Sequence, residues 1–272
     1  MTGFGYNVNG FGAYYDREVT VTASNASSVN LQTIFNNALP NSWISTIVKR
    51  YVIPSDVVLG ITTVPASMAG TLIIDNSGDI QGTGGSGGSG NFAGHGPAGT
   101  HSGSEQPTAL AGDVGGAGGT AMTVQSTGVT INMLSGSTLS GGGGGGGAGG
   151  QGGEGERLGG GILHKVSGGA GGSGGRGIGY NQSQTNGSAG VPGNSKPAGV
   201  DSNEGGGGDG GNGASSFGTA GATGATGGSG NTSPGPTAGS AGGAAGRAVT
   251  FSGVSAYTIL GTNSGTINGA YT

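Results

Sequence analysis

Glycine limits what this chain can fold into more than any other feature. The run LSGGGGGGGAGGQGGEGE, residues 139–156, offers hardly any side chain that could be buried. Glycine loses more backbone freedom on ordering than any other residue, so such a run folds only if other interactions offset that loss. Of the 73 glycines, 61 lie in residues 83–247, called here the glycine-rich region. The region is either a flexible spacer or a structure in which something holds the glycines still.

The glycines of this region recur with a period of three. The period is visible in GGSGGSG (84–90), GGAGGSGGRG (168–177) and GTAGATGATGGSG (218–230), among other short tracts. Three residues per turn is the period of the polyproline-II helix. A glycine at every third position leaves one edge of that helix bare, so neighbouring segments can approach until backbone amides reach backbone carbonyls. These tracts therefore predict a bundle of glycine-rich polyproline-II-like helices rather than a spacer.

A short β-rich motif occurs three times around the tracts. Each copy has an apolar stretch, then Ser-Gly, an isoleucine or leucine, and a closing glycine. The copies are TLIIDNSGDIQG (71–82), VTINMLSGSTLSG (129–141) and YTILGTNSGTING (257–269). Matched strand-forming repeats are typical of short strands stacked on each other. They predict three small β modules, at residues 60–82, 121–141 and 248–272.

The N-terminal part carries ordinary secondary-structure signals. The stretch SVNLQTIFNNAL, residues 28–39, has its apolar residues on one helical face, with Ser28 or Asn30 as N-cap and Pro40 as the stop. Two β-branched runs, ISTIVKRYVIP and DVVLGITTV, follow within residues 44–64. The sequence predicts a short amphipathic helix and then two strands.

Together these features predict a mostly non-regular or β fold. A polyproline-II-like bundle with its three β modules occupies residues 60–272, and residues 1–59, with the short helix and strands, form a segment for attachment to another protein. When the tracts are counted alternately out and back from the β modules, four connections fall at the far end of the bundle. They are 91–111, 156–166, 195–204 and 231–237. Because all three histidines lie in these connections, this end is predicted to carry recognition.

Charge and cysteine content exclude several functions. The net charge is −4 and only 7% of the residues are charged, which excludes a basic nucleic-acid-binding protein. The chain has no cysteine, so neither disulfides nor thiolate metal sites can form. The start, MTGFGYNVNGFGAYYDRE, lacks the basic and apolar regions of a signal peptide, and we expect the chain to mature in the cytoplasm where it is made.

No pattern of residues indicates catalysis. Matches to G-x-G-x-x-G are numerous but expected by chance at this glycine density, and neither G-x-x-x-x-G-K-[ST] nor H-E-x-x-H occurs. His95 and His101 with Glu105 form a conceivable metal site, although histidines in recognition loops are more often plain polar contacts. We expect no catalysis, no cofactor and no metal.

Periodic glycine tracts joined by connections of richer composition resemble the polyglycine-helix-sandwich adhesins of T-even-type bacteriophage long tail fibres. The resemblance covers the glycine-rich region and rests on its several short tracts. It implies a bundle whose distal loops bind an outer-membrane receptor of the host, a protein rather than a polysaccharide. It also implies a location on the virion tail. Residues 1–59 hold much of the conventional apolar material and no glycine tract, so we expect them to bind a tail-fibre or tail-tip protein. The alternative is an ice-binding or structural protein, which the regularly spaced threonines of 218–230 favour locally.

The connection ERLGGGILHKV, residues 156–166, has the mixture expected of a recognition surface. Apolar residues there serve as anchors and charged residues surround them, although the same apolar residues could instead close the end of the bundle. The receptor-binding candidates are Phe92, His101, Glu105, Arg157, Leu158, Ile162, Leu163, His164, Lys165, Lys196 and Asp201.

Overall fold

The computed structural model describes residues 18–90, 111–153, 155–159, 162–166, 170–191, 207–230, 235–254 and 260–272. Its regular elements are strands and one helix, α1 (Leu31–Ala38). The strands in chain order are β1 (Glu18–Thr22), β2 (Ala26–Asn30), β3 (Val48–Ile53), β4 (Val58–Val64), β5 (Leu72–Asn76), β6 (Asp79–Gln81), β7 (Met122–Val124), β8 (Val129–Met133), β9 (Thr138–Ser140), β10 (Gly155–Gly159), β11 (Ile162–Val166), β12 (Val249–Phe251), β13 (Leu260–Asn263) and β14 (Thr266–Asn268).

Helix α1 confirms the helix predicted from residues 28–39. Asn30 is its N-cap, and the side-chain oxygen of Asn30 accepts a hydrogen bond from the Thr33 amide at 3.2 Å. The helix buries Leu31 and Phe35 and ends before Leu39, whose amide bonds back to the Phe35 carbonyl. The chain then reaches Pro40, which cannot donate to a continuing helix.

The strands form two parallel sheets that alternate along the chain. The first sheet has the order β1-β3-β5-β8-β13, and the second has the order β12-β7-β4-β6-β9-β14, with β2 also paired to β4. A strand of the first sheet and the next strand of the second make one rung: β1 with β2, β3 with β4, β5 with β6, β8 with β9, and β13 with β14. We call these two sheets, together with α1 and the loops that join the rungs, the sheet stack.

Each copy of the repeated motif is one rung of this stack. Its apolar stretch lies in the first sheet, the Ser-Gly forms the turn, and its isoleucine or leucine lies in the second sheet. Ile80 is in register with Leu139, which is in register with Ile267. At the turn of the first copy, a Cβ on Gly78 would collide with the carbonyls of Pro54 and Val57 in the preceding rung, so this copy needs glycine there.

The core lies between the two sheets. Alternate residues of β3, β5 and β8 are buried, and Tyr51, Ile74 and Ile131 form one in-register column of inward side chains. Leu59 and Leu139 face them from the second sheet and are fully buried. The parallel register therefore gives a continuous apolar core that runs across the rungs.

The predicted fold class is wrong. The fold is mostly β, since 27% of the residues are in strands and 4% are helical. It contains two parallel sheets, and no polyproline bundle is shown. Residues 121–140, which hold β7, β8 and β9, belong to the sheets, and the name glycine-rich region is used below for the rest of residues 83–247. Its described residues are assigned neither helix nor strand, apart from the β10–β11 pair and an isolated bridge between Gly179 and Gln182. The sequence pattern predicts strands of three to seven residues in small modules. In the structure, parallel pairing joins these strands and strands from the first 59 residues into one stack with one core.

The predicted boundary between residues 59 and 60 lies inside β4 (Val58–Val64). Residues 18–59 supply β1, β2, α1, β3 and the start of β4, and β3 pairs directly with β5. Residues on both sides of the predicted boundary therefore belong to the same two sheets. The assignment of residues 1–59 to attachment is a question of function and stays a prediction.

The glycine-rich region leaves the stack from its second sheet. The chain departs after β6 and returns at β7, and it departs again after β9 and returns at β12. The strand register continues into the departing segments, since the Gly82, Gly85 and Gly88 amides donate to the carbonyls of Ser140, Gly143 and Gly146 at 2.8–2.9 Å. Backbone hydrogen bonds between separate segments, with donors three residues apart, hold these glycines in place.

Residues 141–153, the most glycine-dense stretch, form the central segment of this region. Every one of them is buried. Among the described residues, backbone hydrogen bonds join the central segment to six neighbours: 82–90, 111–120, 170–178, 207–214, 218–230 and 235–246. Because neighbours approach from all sides, most positions of this segment have no room for a side chain, and Ala148 and Gln151 are its only two residues other than glycine.

Outer segments need fewer glycines because part of each is exposed. In 218–230 six of the thirteen residues are glycine, against eleven of thirteen in the central segment, and the buried Gly224 and Gly227 alternate with exposed alanine and threonine. In 170–178 the buried Gly172 and Gly175 are each followed by an exposed residue, Ser173 or Arg176. The density of glycine in a segment thus reflects how many sides of that segment are packed.

Candidate functional site

The segment ends that flank the four predicted connections lie together at the far end of the central segment. The flanks pair across each gap: Ser89 with Asp113, Gly149 with Gly172, Val191 with Gly207, and Gly227 with Thr237, at 2.8–3.1 Å. Further backbone hydrogen bonds start from the central segment and join Ala148 to Asp113, Gln151 to Thr237, and Gly153 to Gly228. We call this end of the glycine-rich region the tip end. The sheet stack adjoins the other end, where the Gly141 amide donates to Asn268.

Strands β10 and β11 lie one residue beyond the central segment, at the tip end. They pair with each other as a two-stranded antiparallel sheet, and Gly160 and Gly161 separate them in the sequence. After β11 the chain re-enters the region at residue 170, in one of the six neighbouring segments. The hairpin therefore starts from the middle of the tip end, while the other three connections start from surrounding segments.

The register of this hairpin places six of the predicted receptor-binding residues. Arg157 pairs with His164, Leu158 with Leu163, Glu156 with Lys165, and Gly159 with Ile162. The predicted anchors and rim residues thus come from one contiguous element. The sequence analysis had placed these residues in a loop, whereas the structure places them on paired strands.

The other predicted site residues cannot be placed in this arrangement. Phe92, His101, Glu105, Lys196 and Asp201 lie outside the described residues, as do His95 and the metal site considered with it. Within the described parts of the chain, no three His, Asp or Glu residues are grouped so that they could hold a metal ion. The flanks nearest to these residues belong to the tip end, and their role in binding stays a prediction.

Two valines near the tip end were missed by the sequence analysis. Val114 is 62% exposed and Val191 is 54% exposed, and both lie on flanks of the connections. Neither flank has an apolar pattern that would single these valines out. The signal that could have identified them is an isolated large apolar side chain next to a glycine, as in Val114-Gly115 and Gly190-Val191.

Polar side chains of the outer segments accept hydrogen bonds from backbone amides that lie near the surface. Asp209 accepts the Gly190 amide at 2.9 Å, Asn212 accepts the Gly187 amide at 3.0 Å, and Gln182 accepts the Gly84 amide at 2.8 Å. Backbone donors near the surface are satisfied in this way. The flanks of the tip end are consequently held in defined positions.

Segment ends that are hydrogen-bonded to one another at one end of a support define a presentation scaffold, the class of protein in which the loops that join such ends perform recognition. The sequence model of the phage tail fibre adhesin Gp38 family matches residues 16–272. The chain therefore belongs to the family of phage tail fibre adhesins, which confirms the resemblance and makes the protein a component of the virion tail.

The chain is similar to the crystal structure of the gp37-gp38 adhesin tip complex of the bacteriophage S16 long tail fiber, with 17% sequence identity and a TM-score of 0.43. The similarity covers 91% of this chain and 82% of that chain. A comparison with curated proteins gives no match.

Family membership favours the adhesin over the ice-binding or structural alternative. The family is one of adhesins, and absence of catalysis in this chain stays a prediction. No helix in the described residues is long and apolar enough to cross a membrane.

Proposed function

We propose that the tip end binds a receptor on the surface of the host bacterium and that the β10–β11 hairpin is the centre of the contact. The observation that carries this proposal is the position of the hairpin, directly after a central segment with neighbours on six sides. Binding energy concentrates in a few residues near the middle of an interface, with a polar rim that excludes water. A hairpin that directly follows this central segment has the position of such a centre.

Within the hairpin, Leu158, Ile162 and Leu163 are the proposed anchors, and Arg157, His164 and Lys165 the proposed rim. Phe92, His101, Glu105, Lys196 and Asp201 would contribute from the surrounding connections. The proposed receptor is an outer-membrane protein rather than a polysaccharide, because apolar anchors suit a protein surface that can desolvate them.

The test separates recognition from a role in stability. Ile162→Ala, Arg157→Ala and a replacement of residues 156–166 by an unrelated hairpin are compared with wild type for melting temperature and for binding of the purified protein to host cells. We expect weaker binding at an unchanged melting temperature. Ile44→Ala, on the sheet stack, is the matched control that should bind cells normally.

Full cell binding by all three variants would overturn the proposal. A fall in melting temperature for Ile162→Ala, with binding lost only in proportion to the unfolded fraction, would mean instead that the apolar residues close the tip end.

We also propose that the adhesin is carried on the virion by a tail-fibre or tail-tip protein, and that residues 1–59 provide the attachment surface. Two points support this. The family consists of tail fibre adhesins. Residues 18–59 lie in the sheet stack, which adjoins the end of the glycine-rich region opposite the tip end. Because residues 18–59 supply strands to both sheets, the test must use point variants rather than deletion of the segment.

A further inference from the structure

Gln151 has the one long side chain of the central segment, residues 141–153. Apart from Ala148, every other residue of this segment is glycine. Gln151 is nevertheless only 2% exposed, so its side chain is packed inside a region from which side chains are otherwise excluded. Burying an amide side chain costs free energy that glycine would not incur, and glycine could make the same backbone hydrogen bonds. The glutamine therefore has a role beyond filling its place in the segment.

The hydrogen-bond pattern of the central segment changes at Gln151. Every third amide donates to a carbonyl of the segment 111–120 at 2.9–3.1 Å: Gly142 to Gly119, Gly145 to Gly116, and Ala148 to Asp113. Gln151 is the next donor in this series, but its amide donates to the side-chain hydroxyl of Thr237 at 2.7 Å. The partner of the central segment thus changes from a backbone carbonyl to a side chain at the level where 111–120 ends.

Thr237 holds Gln151 in two ways. The Thr237 amide donates to the Gln151 carbonyl at 3.0 Å, just as the Ser240 amide, three residues later, donates to the Ala148 carbonyl at 2.8 Å. The hydroxyls of these two residues differ, since that of Ser240 donates to the Gly112 carbonyl. The contact between amide and hydroxyl is therefore particular to Gln151 and Thr237.

Gln151 lies between the β10–β11 hairpin and the 231–237 connection. Strand β10 begins four residues after Gln151, and Thr237 is the last residue of that connection. The opposite flank of the connection also packs on Gln151, because a Cβ on Gly227 would lie 2.2 Å from the Gln151 carbonyl oxygen. The approach to the hairpin and both flanks of this connection therefore meet at one residue of the central segment.

The side chain of Gln151 is directed toward another connection. The backbone contacts of the central segment repeat every three residues, so this side chain leaves on the edge that carries Ala148. A Cβ on Gly112 would lie 2.5 Å from the Ala148 Cβ, which shows that this edge faces the segment 111–120. The buried amide group is thus on the side of the 91–111 connection.

We propose that Gln151, with Thr237, is a positioning residue for receptor recognition, which sets the direction in which the β10–β11 hairpin leaves the tip end. This inference rests on the proposed function of the hairpin and names the residue that orients it. A glutamine amide offers two donors and one acceptor, so one buried side chain can hold more than one connection. Orienting the hairpin in advance lowers the ordering cost of binding, which raises affinity without a further contact to the receptor.

The experiment removes the side-chain contacts and keeps the backbone. Gln151→Gly introduces the residue that fills most of this segment, and Thr237→Val replaces the hydroxyl by a methyl group of similar size. Thr237→Ser keeps the hydroxyl and is the conservative variant, and Ala148→Gly, three residues before Gln151, is the matched control. The purified full-length proteins are compared for melting temperature and for their rates of association with host cells and dissociation from them.

We expect Gln151→Gly and Thr237→Val to bind host cells roughly tenfold more weakly than wild type, with little change in melting temperature. The loss should lie in the association rate, because only a fraction of the molecules then presents the hairpin in the binding orientation. Thr237→Ser and Ala148→Gly should bind like wild type. If Gln151→Gly does not fold, Thr237→Val decides by the same criteria.

Wild-type binding by either Gln151→Gly or Thr237→Val would overturn the positioning role. A lower melting temperature, with binding lost only in proportion to the unfolded fraction, would also overturn it, since the pair would then serve the fold alone. The replacement of residues 156–166 separates this inference from the proposed function. If that replacement binds cells fully, the hairpin is not the contact and the proposed function fails. If it does not bind, while the Gln151 and Thr237 variants bind normally, only the positioning role fails.

Discussion

The sheet stack and the glycine-rich region are both built from laterally hydrogen-bonded chain segments, yet they exclude water in opposite ways. In the stack, side chains such as Phe35, Tyr51 and Ile131 fill the space between two sheets. In the glycine-rich region the segments lie so close that side chains have no space, and the buried surface is backbone. The comparison teaches that a fold can be specified by side-chain volume in one part and by the absence of side chains in another.

The largest expected effect comes from removing atoms in the stack. Phe35 is fully buried and packs on Trp43 and Tyr51, with ring centroids 6.4 and 6.5 Å apart. Phe35→Ala should lower the free energy of unfolding by about 4 kcal/mol through lost burial and an unfilled cavity. Chemical denaturation measures this, with Val114→Ala as the corresponding truncation in the glycine-rich region, where little change is expected. A loss below about 1 kcal/mol for Phe35→Ala would mean that the stack does not depend on its side-chain core.

The next effect comes from adding atoms to the glycine-rich region. A Cβ on Gly145 of the central segment would collide with the Ser86 carbonyl, which neither backbone can avoid without moving. Gly145→Ala should cost about 3 kcal/mol, from overpacking and from weakened backbone hydrogen bonds. Thermal melts give the measurement.

Gly235 is the matched control for this substitution. A Cβ there would meet nothing within 4 Å, and its φ is not positive, so Gly235→Ala should melt like wild type. Equal melting temperatures for Gly145→Ala and wild type would show that close backbone packing does not stabilise the region.

The smallest effect is electrostatic and should be confined to the stack. The two ion pairs recorded for the described residues join Arg50 to Glu18 at 2.8 Å and to Asp75 at 2.5 Å, across three strands of the first sheet. The hydrogen bond from Arg50 holds the pKa of Glu18 below its usual range. The stabilisation is therefore present above the ordinary glutamate pKa and is lost as the pH falls through the lowered value.

The expected contribution of Glu18 is well below 1 kcal/mol, because the pair is partly exposed and solvent screens it. Wild type should be slightly more stable than Glu18→Gln at about pH 6, and the difference should vanish at about pH 3. Hydrogen exchange should locate the change in β1 and β3. A pH-independent difference, or one that appears in the glycine-rich segments, would contradict the assignment.

Local signals in the sequence determined several parts of this protein. Asn30 and Pro40 delimit α1, and the three copies of the Ser-Gly motif correspond to three rungs of the stack. Glycine spacing marked the segments that pack closely, and the resemblance it supports identified the family. These features follow from short-range rules: helix capping, the alternation of apolar residues in strands, and the close approach that glycine allows. Such rules can be applied to a sequence directly.

Tertiary structure alone decided which parts meet. Strands β3 and β5 pair at a separation of 23 residues, whereas Leu139 and Ile267 pair at a separation of 128, and no local pattern specifies such a register. Only the three-dimensional packing shows that 141–153 is the central segment, that residues 18–59 share both sheets with the rest of the chain, and that the hairpin of Leu158 and Leu163 leaves from the middle of the tip end. The physical reason is that glycine segments carry no side chains that would distinguish one pairing partner from another. The packing of the whole region therefore determines which segments form hydrogen bonds with each other.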